Sequence, residues 1–545
     1  MEKTILIGGA AGLGTAVTSS LIGKIFCSLG YYVFNYRDYP SLIKGGHNFN
    51  VLRISDKPVY SHKQKYDIIL AFDQKTVDLH QQSLNKSGFI IGDKTLKAKK
   101  LHSIDIKAIL DKLKAPKILE NDVFIGYLFK YFGISEQVVL KAIEREFKNK
   151  ADLIKKAITE GYKLTEEKEK LKSQPQKNYF ISGNEGVALG AIAAGIDICF
   201  AYPMTPATAV LHFLAKKQTE HNILVSQFES EIAVVNAALG ASFTGARVMV
   251  ATSGGGFALM TEAISLAGMS ELPLVVYLAQ RTAPSTGVPT YTAQGDLKTA
   301  LNAGHGEFPK IVVAPGDPKE AIFRTQEAFY LSAKYHTPVI VLSDKHLGES
   351  NYSFSQIGKP GQTTQRFILK NPAKNYKSFK ITPTGVSDRA VPGQGPVVKA
   401  TSYEHTDYGQ TTEDPGWIVK MQDKRLKKIK YIAQEINKLS PIKTYGQGKN
   451  LIISWGSTKG AIIDALSELK GFKFLQISYL SPFPKEKVIQ EINKSQKVFL
   501  VENTATGLLA DVIAEQTGII IKNKILKYDA RPFTSEDIID KIKKI

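Results

Sequence analysis

Cysteine is almost missing from this chain, with two residues, Cys27 and Cys199, in a length of 545. An iron–sulfur cluster takes four thiolates, so this polypeptide cannot hold one alone. Both cysteines fall in apolar stretches and read as small core residues. Long apolar runs are missing too. The most apolar segment, residues 187–200, is interrupted by glycines and falls short of the ~20 residues a membrane helix needs. No membrane association is expected. Met1-Glu2-Lys3 leads straight into an expected strand at residues 4–7 without a secretory leader, which predicts a cytoplasmic protein.

Acidic residues are in deficit, 51 against 71 basic ones, for a formal net charge of +20. The excess is mainly lysine, without interleaved aromatics or a recognisable module, so a solvated surface is expected and nucleic acid is not. The glycine turn Gly8-Gly9-Ala10-Ala11-Gly12-Leu13-Gly14 lacks the G-x-G-x-x-G spacing of a dinucleotide site. A nicotinamide-linked dehydrogenase is kept only as an alternative. Glu404, His405 and Asp407 lie close together, yet their spacing fits no regular ligand set. A loop network is expected there, and no metal site.

Against these absences stands the run Tyr202-Pro203-Met204-Thr205-Pro206. Proline fixes φ at 203 and 206 and biases the preceding residue away from the helical region. Thr205 is thereby predicted extended, its hydroxyl presented by a stiff loop between a strand and a helix. Next comes Glu229-Ser230-Glu231, opening a helix of small residues. Ser226 and Glu229 have the spacing of a capping box, which accounts for Glu229. Glu231 shares a stripe with Val235, Ala238 and Leu239 in a helix with almost no polar face, so it is predicted buried. Losing its water should raise its pKa unless a partner is supplied. Arg281 follows an apolar strand in a loop with Pro284, Gly287 and Pro289, the kind of strand end where open α/β sheets hold ligands.

These residues, with Ala251-Thr252-Ser253-Gly254-Gly255-Gly256-Phe257 and Gln280-Arg281-Thr282-Ala283-Pro284-Ser285-Thr286-Gly287, resemble the alpha subunit of 2-oxoacid:ferredoxin oxidoreductases, which are thiamine-diphosphate enzymes. The resemblance implies oxidative decarboxylation of a 2-oxoacid with coenzyme A, giving acyl-CoA, carbon dioxide and electrons for ferredoxin. It implies Glu231 as the carboxyl that meets the aminopyrimidine ring, with Tyr202 and Pro203 beside the cofactor. It also implies Thr205 as a substrate-side hydroxyl and Arg281 as the clamp on the substrate carboxylate. Magnesium, the diphosphate site and the iron–sulfur cluster would belong to a separate beta subunit, and an acidic ferredoxin would suit the positive charge. A non-catalytic scaffold subunit is the remaining alternative.

The expected fold is α/β, with three open, mostly parallel sheets. Residues 1–172 resemble the family's gamma domain, with Lys44 where an arginine is usual, and 173–177 form a linker. Residues 178–355 would bind the pyrimidine of thiamine diphosphate, through strands at 180–182, 198–202, 223–225, 248–252, 274–278, 311–314 and 339–342. A connecting segment with a basic helix fills 356–440. Residues 441–545 resemble a transketolase C-terminal domain, with strands at 451–454, 474–477, 498–501 and 518–521.

Overall fold

The computed structural model describes residues 1–41, 45–148, 151–358, 361 and 364–545, and Lys44 lies outside them. The chain forms two compact units. One comprises Met1–Ile181, Ser350–Ile357 and Thr534–Glu536, the other Ser182–Glu349, Gly358–Phe533 and Asp537–Ile545.

The first unit is built on the strand Glu2–Ala11, whose interior is fully buried. It pairs in parallel with Tyr66–Ala71 and antiparallel with Gly45–Ser55, inside an eight-stranded open sheet. Helix Thr15–Ser28 begins at Gly14, whose φ is 76°. A Cβ there would stand 2.6 Å from the Asn121 amide nitrogen, so both backbone sign and space favour glycine. The charged segment 151–172, whose composition reads as a helix, is helical only over Ala151–Tyr162. Beyond it the backbone is irregular, and the carbonyls of Tyr131 and Phe132 accept from the amides of Lys168, Glu169 and Leu171. The docked chain satisfies its amides there without a helix.

The second unit holds a seven-stranded sheet in the order Tyr479–Ser481, Ile311–Val313, Pro338–Asp344, Leu274–Gln280, Val248–Thr252, Ile198–Ala201, Leu224–Gln227. All its pairings are parallel except the one made by Tyr479–Ser481. Continuous apolar strands such as Leu274–Gln280, buried at every position, are what a parallel sheet covered on both faces requires. A five-stranded sheet follows, with Ile442–Gly446 antiparallel at one edge and Asn523–Leu526 at the other. The α/β class with three open sheets therefore holds, although the first sheet is mixed.

Two strand assignments need correction. Tyr179–Ser182, expected to open the second sheet, lies at the edge of the first, next to Asn351–Phe354. Its apolar residues do not by themselves reveal which sheet supplies the partner. The apolar run at 518–521 is not a strand. Gly518 has φ 74° and ends helix Leu508–Thr517, the usual role of a glycine after a helix, and the edge strand starts only at Asn523.

An ion cluster around the buried Lys459 joins these two sheets. Lys459 Nζ meets Glu320 at 2.5 Å and also pairs with Asp317, while Gln476 donates to Glu320 at 2.6 Å. Burial disfavours the charged form of Glu320, but Lys459 outweighs it and holds the carboxyl down at about 2. A carboxyl depressed in the fold contributes stability above its unfolded pKa, and that contribution is lost as pH falls through the folded value. Lys459→Met should cost about 3–5 kcal/mol at neutral pH, the usual result of orphaning a buried ion. Its deficit against the parent should shrink between about pH 4.5 and 2. Denaturant unfolding across that range checks both, and a deficit independent of pH would contradict the pairing.

Candidate functional site

The carboxyl ends of the parallel strands carry the residues singled out above. Strand Ile198–Ala201 runs into the loop 202–207, where the Thr205–Pro206 peptide is cis. This loop is tied from below. The Pro206 carbonyl accepts from Asn184 Nδ2 at 3.0 Å, and Asn184 Oδ1 accepts from the fully buried Tyr277 hydroxyl at 2.7 Å. From the side, Arg281 Nη1 donates to the Thr205 carbonyl at 2.9 Å. Thr205 and Arg281, which lie 76 residues apart in sequence, thus meet directly. Pro203 and Thr205 are half-buried, whereas Tyr202 is turned outward.

Strand Leu224–Gln227 ends just before Glu231, the first residue of helix Glu231–Phe243. The capping box expected from Ser226 and Glu229 is not formed. Ser226 lies in the strand, and the cap is Ser230, whose hydroxyl accepts from the Ala233 amide at 3.2 Å. The helix cap falls four residues later than that pattern suggested, because the strand takes up the first candidate cap. Glu229 is exposed and Glu231 is buried, at 4% exposure.

One carboxylate oxygen of Glu231 is buried with no hydrogen-bond partner among the described residues. Its carboxyl lies against Gly256, where a Cβ would come within 2.6 Å of Oε1 and 2.2 Å of Thr252 Oγ1. The glycine run following strand Val248–Thr252 therefore has a steric purpose. It lets the first turn of helix Gly254–Met269 close over the carboxylate. The same turn touches a second acid, since a Cβ on Gly254 would stand 2.5 Å from Asp296 Oδ2.

Sequence reasoning passed over Asp296. Burial pushes its carboxyl up to about 6, and Arg281 opposes the rise. Reciprocally, burial lowers the Arg281 guanidinium and Asp296 counters the fall. The Asp296 amide donates to Gln280 Oε1 at 2.9 Å. Beside this pair opens a cavity of ≈ 700 Å³ that takes in Gly254, Thr282, Asp296, Asn503 and Tyr528, large enough for a small-molecule ligand. The C-terminal sheet closes one wall. Gln294 exchanges hydrogen bonds with the Asn503 backbone at 2.9 Å and donates to the Trp455 carbonyl at 2.9 Å. The Gln294-Gly295-Asp296-Leu297 run was the only sequence signal for this arrangement, an acid placed directly before a helix.

Glu404, His405 and Asp407 do not converge. Glu404 grips Arg425, Asp407 takes Lys377 at 2.6 Å, and the His405 ring packs on Phe379 at 3.8 Å.

Residues 189–423 match the family model described as the thiamine-diphosphate-binding part of pyruvate flavodoxin/ferredoxin oxidoreductase, and residues 4–164 match that of pyruvate ferredoxin/flavodoxin oxidoreductase. A 2-oxoacid:ferredoxin oxidoreductase alpha subunit from Sulfolobus sp is 34% identical, over all of this chain and 97% of its own length. The corresponding subunit 1 alpha chain of Sulfurisphaera tokodaii is 33% identical over 100% and 98%.

The chain belongs to the 2-oxoacid:ferredoxin oxidoreductase alpha-subunit family.

The solved 2-oxoglutarate:ferredoxin oxidoreductase from Magnetococcus marinus, which carries 2-oxoglutarate, coenzyme A and succinyl-CoA, superposes with a TM-score of 0.90 at 28% identity. The match covers 100% of this chain and 99% of that one. As a member of this family the chain is an oxidoreductase subunit acting on 2-oxoacids, and alpha-subunit kinship implies a partner subunit. No helix among the described residues is long and apolar enough to cross a membrane.

The contact of Gly256 with Glu231 can be tested by stability alone. Gly256→Ala should destabilise the chain by about 1–3 kcal/mol through overpacking. Gly255→Ala, one residue earlier with nothing within 4 Å of its Cβ position, should be neutral or stabilising by up to about 1 kcal/mol, because alanine favours the helix. Equal denaturation midpoints for the two variants would refute the steric argument.

Proposed function

We propose that this chain and a partner beta subunit together carry out the coenzyme A-dependent oxidative decarboxylation of a 2-oxoacid. The products are an acyl-CoA, carbon dioxide and two electrons delivered to ferredoxin in the cytoplasm. Residues 1–172, with strands Tyr179–Ser182 and Asn351–Phe354 added to their sheet, form the gamma-type domain, 173–177 a linker, the rest of 178–355 the pyrimidine-binding domain, 356–440 the connecting segment and 441–545 the transketolase-like domain. Magnesium and the iron–sulfur cluster reside on the partner. The two cysteines here are buried, and burial raises the pKa of both thiols, which suits core packing and not metal ligation.

The observation that carries the reading is the orphaned Glu231 oxygen. A carboxylate without water or partner is costly, and the polar edge of an aminopyrimidine supplies what it lacks. When bound, thiamine diphosphate supplies the nucleophilic carbon and the electron sink that decarboxylation needs. Glu231 would hold a proton shared between its Oε1 and the pyrimidine ring, in a site whose low polarity strengthens that bond. Gly256 lets the helix close against the carboxyl, and Tyr202 and Pro203 flank the ring.

On the substrate side, Arg281 presents a planar fork of donors suited to a carboxylate. One of its nitrogens is already engaged by the Thr205 carbonyl, so the guanidinium keeps its direction before substrate arrives. The Thr205 hydroxyl then hydrogen-bonds the keto or carboxylate oxygens, and the cavity beside Asp296 admits the thiol co-substrate. The coenzyme A seen in the Magnetococcus marinus enzyme supports that choice.

In the complex with the partner subunit, Glu231→Gln should lower turnover at least about a hundredfold, as expected on losing a group that handles a proton. Arg281→Ala should raise KM for the 2-oxoacid by about tenfold or more, the scale of a lost charge-assisted pair. Arg281→Lys should recover only part of that loss. Viologen dye reduction with a panel of 2-oxoacids measures all three, and unchanged turnover in Glu231→Gln would leave only a scaffold role.

A further inference from the structure

Helix Pro415–Lys438 and the connecting segment before it hold a second group of buried charges, none of which lines the cavity beside Asp296. Glu271 stands between Lys424 and Lys428, 2.5 Å from each, and all three side chains are almost wholly buried. The half-buried Arg389 lies beside them, donating to the Ser242 carbonyl. No carboxylate among the described residues lies within ion-pair distance of Arg389. The nearby Arg425 is already neutralised by Glu404. Three cations thus face one anion around the buried His336, which feels all four charges. Burial of this excess is visible in the groups themselves. Lys428 is pushed down to about 8 and Arg389 to about 10.

A charge withdrawn from water without a counter-ion is costly, and a chain ordinarily pairs it or leaves it to solvent. Arg389 instead borders a cavity of ≈ 590 Å³ whose walls also include His336, Phe367, Ile368, Val386 and Tyr431. His336 Nε2 is buried there without a partner among the described residues. Lys334 and Lys438, also on this cavity, are already joined to Glu435 at 3.2 and 3.4 Å. Arg389 is therefore the lining cation that still lacks an anion among the described residues. The combination of a guanidinium without an ion pair and apolar walls points to a ligand with one acidic end and one apolar end.

We propose that this cavity binds a small organic anion, a phosphate or carboxylate whose acidic group pairs with Arg389 while its apolar body packs against Phe367, Ile368 and Val386. Such a ligand would bring the local charge closer to balance from outside the chain, and its site is separate from the one assigned to the 2-oxoacid.

The test uses the intact complex with its partner subunit, saturated beforehand with thiamine diphosphate, magnesium and coenzyme A so that known phosphate sites are filled. Phenyl phosphate and benzoate are the probes, with benzyl alcohol as the uncharged control, at constant ionic strength. Binding is followed by equilibrium dialysis and by the shift in melting temperature. At least one acid should bind about tenfold or more tightly than the alcohol, the scale of one charge-assisted pair, and the two acids together tell phosphate from carboxylate preference. That advantage should vanish in Arg389→Met and in Val386→Trp, which fills the cavity while leaving the arginine, and should persist in Arg281→Ala. Should Arg389→Met fail to fold, Val386→Trp decides. Acids that bind no better than the alcohol, or an advantage that survives in either folded variant or disappears in Arg281→Ala, would overturn the proposal.

Discussion

A carboxylate shut away from water with one oxygen unanswered is the constraint around which the second unit is organised. Glu231 is tolerated because it heads a helix, where exposed amides and the helix dipole favour negative charge. Ser230 caps the same turn through the Ala233 amide. The next strand and helix then press against it from above, and only glycine at 256 allows that approach. The small-residue character of helices Glu231–Phe243 and Gly254–Met269 follows from the same demand for close packing.

From that carboxylate a line of contacts leads across the strand ends. Gly256 and Gly254 share one helical turn, Gly254 abuts Asp296, Asp296 is coupled electrostatically to Arg281, and Arg281 holds the Thr205 carbonyl. Asn184 and Tyr277 support the same loop from the buried side of the sheet. A parallel sheet makes such a constellation natural, because each crossover returns the chain so that successive loops emerge at one edge. The C-terminal sheet adds the last wall through Gln294 and Asn503, and that wall is held by Lys459, whose charge is fully answered by Asp317 and Glu320.

Much of this was legible in the sequence where the signal is local. Residues 248–252 and 274–278 read as strands because they are short, nearly continuous apolar runs containing valines, and the structure keeps them with shifts of at most two residues. Glu231 read as buried because its helix has no polar face to turn outward. The errors arose where a local pattern had two resolutions. Ser226 has the spacing of a cap but lies in a strand, while Ser230 caps the helix. Residues 518–521 have strand composition, but Gly518 had to end a helix first. Tyr179–Ser182 has strand character that does not say which sheet will accept it. Asp296 and Asn184 left almost no trace, since their roles depend on partners brought close only by the folded sheet.

Buried glutamates in this one unit show how environment sorts a single side chain into different tasks. Glu320 is answered by a lysine and an amide, so its carboxyl stays ionised and cements two sheets. Glu502, bonded to the Trp455 indole, the Thr504 hydroxyl and the Leu509 amide, has no cation among the described residues, and burial pushes it up to about 7. Glu271 is answered twice over, which leaves positive charge in excess beside a cavity. Glu231 is answered incompletely, at the carboxyl ends of the parallel strands. Fully paired charges explain themselves as structure, because removing either partner exposes the other to the cost of burial. An imbalance does not explain itself. Where the fold leaves one in a closed, well-packed place, the missing charge or hydrogen bond is best sought in a molecule the chain was shaped to receive.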